Sequence, residues 1–430
     1  MRRGARRIPR VPEVATAFAL TFLGASSLDA QPLTLLTTTD GPALTSQGPI
    51  ENEEILLLPS SSNGVEQLIS SRAWAILLGD ADGNGRLDDE PTEIDALAPI
   101  PGTTRLSIWD LAFSLDVDRP LRAGRVLRDG DLLRLTETGQ IEVLFSEEEI
   151  AGALATFDDV DLDGACLLPD GSLIFSLGGN IITLSPGLAA DNGSPLIDDH
   201  AVLMLTPGAP RAHVLHSGLE MIAMANRALG TSYVSLIDVQ GLEIDPHGSG
   251  EDLLFATGLR NTPGAGTVLT TRDGGRVAHL YGRPLVPATF GFVDSEDLNA
   301  LALVPCATPP PSLRLLTPEV SAAGDLDIEI GCGGPGRRGR LLASSLTGTK
   351  VTTETIPGLG GAGLLFLDRS DALFRSSLRS PKTWFRADGS GRARVTLAPP
   401  GKLAGTSLVL QAFVQETREA SYPVLVRVTD

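Results

Sequence analysis

The 430-residue chain carries 53 acidic against 34 basic side chains, a formal charge of -19. A field of that sign repels phosphate backbones and anionic lipid, so nucleic acid is excluded as a partner class while divalent cations are favoured. Aromatic residues make up only 4% of the chain, which argues against a large glycan cleft built on ring platforms.

In chain order, the first thirty residues read as a signal peptide. Arg2, Arg3, Arg6, Arg7 and Arg10 precede an apolar stretch from Val14 to Ser26 that is too short to span a bilayer. Leu28-Asp-Ala30 then ends in the small residue a signal peptidase needs, so cleavage is expected after Ala30. No later stretch is apolar enough for a membrane span. The mature chain is therefore expected to be exported, whether secreted, periplasmic or held at the cell surface, with no transmembrane segment. Its length exceeds what one core usually serves, and two domains are expected, 31–305 and 306–430.

Residues 31–305 contain an internal repeat anchored on a proline. The four copies are Glu93-Ile-Asp-Ala-Leu-Ala-Pro-Ile-Pro101, Asp161-Leu-Asp-Gly-Ala-Cys-Leu-Leu-Pro169, Asp238-Val-Gln-Gly-Leu-Glu-Ile-Asp-Pro246 and Asp297-Leu-Asn-Ala-Leu-Ala-Leu-Val-Pro305. Each opens on a carboxylate, has Asp or an amide two residues later, and then a small residue. A second strand follows (Arg105 to Asp110, Ser172 to Leu177, Asp252 to Thr257), then a hairpin such as Asp131 to Phe145 with its Glu-Thr-Gly turn. Ser146-x-x-Glu149 and Ser217-x-x-Glu220 are capping boxes that open short helices, and Ser71 precedes a similar stretch, Ala73 to Leu77.

Four strands per unit is the arithmetic of a β-propeller blade. The last copy stops after one strand, and the N-terminus supplies the three it lacks: Leu33 to Thr38, Glu54 to Leu58 and Val65 to Ile69. The expectation is an all-β fold, a four-bladed propeller closed by N- and C-terminal strands, with a larger propeller or an open repeat stack as the alternative. In such a ring the leading carboxylates Glu93, Asp161, Asp238 and Asp297 lie at one height. Capping of backbone N–H groups at the start of neighbouring strands is expected of them ahead of a shared cation, because Asp and Glu interchange at the position.

After the stiff Ala307-Thr-Pro-Pro-Pro311 linker, Leu313 to Leu316, Leu326 to Ile330, Gly339 to Ser344, Thr383 to Arg386, Arg392 to Leu397, Thr406 to Gln411 and Val424 to Val428 read as short strands. Helical signal is nearly absent, and a β-sandwich is expected. Cys306 and Cys332 flank the start of this part and are expected to form the one disulfide, leaving Cys166 as a small buried hydrophobe.

The stretches Ala387 to Ala393 and Leu403 to Phe413 resemble the C-terminal sandwich modules of exported planctomycete-type bacterial proteins. The acid-x-Asp-Ala-Leu element ending at Leu97 and Pro169-Asp-Gly-Ser-Leu173 are similar to uncharacterised propeller-like repeats in such proteins. The resemblance implies a secreted or envelope location and transfers no active site.

The sharpest chemical motif is Gly79-Asp-Ala-Asp-Gly-Asn-Gly-Arg-Leu-Asp88, which resembles the calcium loops of EF-hands and dockerins. Asp80, Asp82 and Asn84 occupy positions one, three and five, Gly85 makes the turn, and Arg86 offers its carbonyl. Pro91 stands where a bidentate Glu belongs, so Glu90 or Glu93 must substitute for it from an altered chain path, and the expected Ca2+ ligands are Asp80, Asp82, Asn84, Arg86, Asp88 and Glu90. Asp159-Val-Asp-Leu-Asp-Gly164 also alternates carboxylates, but the repeat already accounts for Asp161 and Asp163.

No nucleophile elbow, zinc-protease pattern or other catalytic constellation is legible. The expected function is that of a calcium-stabilised, non-catalytic binding or structural protein, secreted or at the cell surface, whose partner is an extracellular protein or glycan. The alternative is an extracellular glycan-active hydrolase using propeller carboxylates as acid and base.

Overall fold

The computed structural model describes residues 33–39, 42–45, 48–50, 54–58, 64–69, 93–103, 110–120, 126–136, 140–188, 194–233, 238–258, 264–293, 297–305, 311–316, 319–321, 324–345, 367, 370–399 and 403–429. They fall within one compact unit, Pro32–Asp430. This unit is mostly β, built of small sheets that are antiparallel except for one strand pair.

Up to Pro305 the main sheets number four among the described residues, with four strands each. The first joins Leu298–Pro305 to Leu33–Thr39, Ile55–Leu58 and Glu66–Ile69, so the two ends of this region share a sheet as the strand count required. The second holds Leu97–Pro99, Leu111–Phe113, Leu132–Leu135 and Ile141–Phe145. The third holds Leu162–Leu167, Leu173–Leu177, Val202–Leu205 and His213–His216. The fourth holds Val239–Ile244, Leu253–Thr257, Leu269–Thr270 and Arg276–Val277.

The repeat segments supply one edge strand of every sheet, and these four strands touch one another in a closed circuit. Their sequences explain why. The second repeat residue, Ile94, Leu162, Val239 or Leu298, is apolar and fully buried in each copy. The fourth is small because the strands crowd. A Cβ on Gly164 would meet Gly241 N at 3.1 Å, and one on Gly241 would meet Leu301 N at 2.8 Å and the Ala300 carbonyl carbon at 2.9 Å. Larger side chains there would drive the strands apart.

The second strand of the second sheet differs from expectation. It is Leu111–Phe113, paired with Leu97–Pro99, whereas Arg105 to Asp110 was expected and all but Asp110 of that stretch lies outside the described residues. The physical reason is coverage on both faces: Leu111, Ala112 and Phe113 are all fully buried, which a wholly apolar triplet satisfies and an alternating run does not.

Two helices follow the outer hairpins. Helix α1, Glu147–Leu154, begins in the expected capping box: Ser146 Oγ accepts from Glu149 N at 3.2 Å while Ser146 N donates to Glu149 Oε2 at 2.9 Å. Helix α2, Gly218–Leu229, starts in the same way, with Ser217 N donating to Glu220 Oε2 at 2.9 Å, and stops at Gly230 in the left-handed region. The stretch Ala73 to Leu77 lies outside the described residues.

The C-terminal part contains a three-stranded sheet, Ser312–Leu315, Leu326–Gly331 and Arg392–Leu397. A second sheet orders Glu319–Ser321, Val424–Thr429, Ser407–Val414, Arg338–Ser345 and Trp384–Arg386, with Glu419–Ala420 beside Ser407–Val414. Leu313, Ile328, Ile330 and Val395 of the smaller sheet share one core with Leu341, Leu410, Ala412 and Val426 of the larger. The larger sheet is buried on its other face too. Leu342, Val409, Phe413 and Leu425 pack with Leu36, Ile55, Leu57, Phe113 and Leu133 of the first two repeat sheets. That double burial is why Ser407–Val414 reads as a nearly continuous apolar run. Its one interruption, Gln411, is fully buried and donates from Nε2 to Ser421 O at 2.7 Å. Arg392 adds an ionic link, 3.3 Å from Glu66 and 3.0 Å from Glu329.

Helix α3, Ala372–Arg379, was not expected from the sequence. Asp371 caps it by accepting from Leu373 N at 2.5 Å, and Phe374 anchors it in the same shared core. The expected Cys306–Cys332 bridge is not shown: Cys332 carries a free, buried thiol, and Cys306 lies outside the described residues. Cys166 is free and buried as expected. Among the described residues no helix is long and apolar enough to cross a membrane.

Candidate functional site

The repeat strands bring their polar residues together where the four sheets meet. Two residues after each leading carboxylate stand Asp95, Asp163, Gln240 and Asn299, with relative exposures of 5, 6, 7 and 1%. Burying two carboxylates and two amides at equivalent positions is costly unless they serve one another or a ligand. A break in strand register recurs at this point. Asp163 is skipped between the pairs Leu162↔Leu177 and Gly164↔Ser176, Asn299 is skipped opposite Thr38 and Thr39, and Gly241 is skipped after Gln240. Such bulges re-aim side chains and are common beside functional sites. Gly241 adopts φ +58°, which its lack of a Cβ permits.

The acids form a continuous electrostatic group. Asn299 Nδ2 donates to Asp95 Oδ1 at 2.7 Å and to Ile94 O at 3.4 Å, and Thr38 Oγ1 donates to the same carbonyl at 3.1 Å. Burial, and then the Asp161 carboxylate, push Asp95 from an ordinary 3.8 up to about 8 against the pull of the Asn299 hydrogen bond. Asp161 is pushed up to about 7, first by burial and then by Asp129, Asp116 and Asp238. Asp163 is raised well above the usual carboxylate range by burial and by Asp238, Asp95 and Asp161, and its carboxyl lies within hydrogen-bond reach of Asp238. Asp238 is raised chiefly by burial and then by Asp199, while Asp163, His200 and the Val239 N–H pull the other way. His200 Nδ1 is itself 2.6 Å from Asp199 Oδ1.

The leading carboxylates Asp161 and Asp238 are engaged by N–H groups of their own strands, where capping at the start of neighbouring strands was expected. The Leu162 and Val239 N–H groups lower Asp161 and Asp238 respectively, as caps do. Yet Asp161 Oδ1 and Asp238 Oδ1, like Asp163 Oδ2 and Gln240 Oε1, are buried atoms without a hydrogen-bond partner. Gly178 and Gly258 make room for this arrangement. A Cβ on Gly258 would meet Asp238 Cβ at 3.1 Å and Gln240 Cδ at 3.2 Å, and one on Gly178 would strike the Asp161 carboxylate.

Further along the same strands, Glu243 is buried among hydrogen bonds and fully used. Oε2 accepts from Leu303 N at 2.8 Å, and Oε1 accepts from Ile244 N at 2.7 Å and from Cys166 Sγ at 3.5 Å. Burial lifts it to about 7 against these three donors. Glu243 therefore ties the third, fourth and first repeat sheets together. A separate acidic group lies toward the outside: one oxygen each of Asp118, Asp129 and Glu147 lie within 4.8 Å of one another. Arg128 offsets one of its charges, 3.2 Å from Glu147 Oε2.

The sequence-predicted calcium ligands Asp80, Asp82, Asn84, Arg86, Asp88 and Glu90 all lie outside the described residues. Sequence reasoning singled out Asp161 and Asp238, gave Asp163 only a structural place in the repeat, and gave Asp95 no role. The available signal was the alternation of Asp with an amide at one repeat position, which marks a polar site on an otherwise apolar strand.

No family model and no curated protein matches the chain. Three solved structures are similar in parts. An adhesin of Yersinia pseudotuberculosis, InvE, is 11% identical over 45% of this chain, with TM-score 0.19, and the chain spans 47% of its length. YCF48 bound to D1 peptide is 8% identical over 92% of this chain and 95% of its own, with TM-score 0.18. A fungal alcohol oxidase in complex with copper is 8% identical over 93% of this chain and 98% of its own, with TM-score 0.20. Likeness this low carries no argument about function.

Proposed function

We propose that the chain is an exported, non-catalytic binding or structural protein: a four-bladed propeller closed by N- and C-terminal strands, followed by a β-sandwich, stabilised by Ca2+ at Asp80 to Glu90. Its place is outside the cell, in secreted form or at the surface, and its partner is an extracellular protein or glycan. The observation that carries the non-catalytic reading is burial. The carboxylates that converge, Asp95 and Asp163 above all, are only 5 and 6% exposed, out of reach of a polymeric substrate. The core shared by the larger C-terminal sheet and two repeat sheets supports a rigid scaffold rather than jointed domains. The test is a panel of chromogenic glycosides assayed with the wild type and with Asp238→Asn. The proposal expects no turnover that the substitution abolishes; reproducible turnover lost in Asp238→Asn would establish the hydrolase instead.

A further inference from the structure

Asp163 has an unusual environment for a buried carboxylate. It is 6% exposed, its Oδ2 has no hydrogen-bond partner, and the charged groups around it, Asp238, Asp95 and Asp161, are all acids. A desolvated carboxylate among carboxylates needs a positive charge, which is either a proton or a cation. Gln240 decides between them. Its side chain is 7% exposed and lies beside Asp238, since both crowd the space over Gly258, and its Oε1 is buried without a partner. A proton shared between Asp163 and Asp238 leaves that amide oxygen and Asp238 Oδ1 unsatisfied. A cation accepts lone pairs from all such oxygens.

We propose that the meeting point of the four repeat strands binds one hard divalent cation, held by Asp163 and Asp238, whose two carboxylates balance its charge, with the amide oxygen of Gln240. An all-oxygen donor set selects the calcium and magnesium class over softer metals. The site is separate from the loop Asp80 to Glu90 and does not depend on the non-catalytic reading.

The test uses the full mature chain stripped with chelator and titrated with Ca2+, Mg2+ or Mn2+ alone while Tm is followed. It compares the wild type, Asp163→Asn, an Asp80→Ala, Asp82→Ala variant that removes the loop, and the three substitutions combined. The expected result is a saturable rise in Tm of a few degrees that survives in the loop variant and is lost when Asp163→Asn is added to that variant. Asp163→Asn keeps the shape and removes a buried charge, so it is also expected to melt no lower than the wild type in chelator. A rise in the loop variant that adding Asp163→Asn leaves intact, or a rise that disappears with the loop alone, overturns the proposal. So does an Asp163→Asn variant that melts lower than the wild type in chelator.

Discussion

Replacing Asp95 by Asn isolates the electrostatic strain where the repeat strands meet. The substitution preserves the acceptor for Asn299 Nδ2, so packing and the 2.7 Å hydrogen bond are retained while the ionisable proton is removed. Burial and Asp161 raise Asp95 from 3.8 to about 8 in the folded chain, so the folded state holds its proton more tightly than the unfolded state. The sign follows from linkage: stability associated with this group is fully present below pH 3.8 and is lost as pH rises to about 8. Each pH unit in that window costs about 1.4 kcal/mol, so the loss between pH 5 and pH 8 is on the order of 4 kcal/mol. Urea denaturation in chelator at pH 5, 6.5 and 8 measures it. The wild type should weaken steadily across the series and Asp95→Asn should weaken by that much less, overtaking the wild type as pH rises. Parallel losses in the two proteins would refute the reasoning, because Asp95 would then ionise as freely in the folded as in the unfolded chain.

Two further substitutions probe the scaffold. Phe413→Ala removes a ring that is 1% exposed in the core shared by three sheets and should cost about 3–5 kcal/mol in urea denaturation, with a single transition retained. A separate early transition of the C-terminal part would show that the core does not couple the two. Gly241→Ala places a Cβ against main-chain atoms of Ala300 and Leu301 at a φ of +58°, and should destabilise by roughly 2 kcal/mol or more. Gly152→Ala in α1 meets nothing within 4 Å and serves as the control, neutral or stabilising by up to about 1 kcal/mol.

Much of the repeat region was legible because its signals are local. The prolines fixed the phase, the Ser146 and Ser217 capping boxes placed two helix starts, and the small residues at Gly164, Gly241 and Ala300 marked the crowded strands. The second strand of the second sheet was misplaced because burial on both faces erases the alternation that identifies a strand. Helix α3 escaped notice because two turns bearing a Ser-Ser pair give little periodic signal, and tertiary packing through Phe374 holds it. The grouping of Asp95, Asp163, Gln240 and Asn299 was visible only as a repeat position. Their convergence depends on bulges at Asp163, Gly241 and Asn299, which arise from pairing with neighbouring strands rather than from the local sequence.

The most direct measurement of the central claim is the calcium content of the mature protein, determined by elemental analysis after equilibration with calcium and rapid desalting. Two ions per chain are predicted for the wild type, one for Asp163→Asn and one for the variant lacking Asp80 and Asp82. A calcium content that Asp163→Asn does not change would contradict the account, since the buried acids would then be held by protons alone.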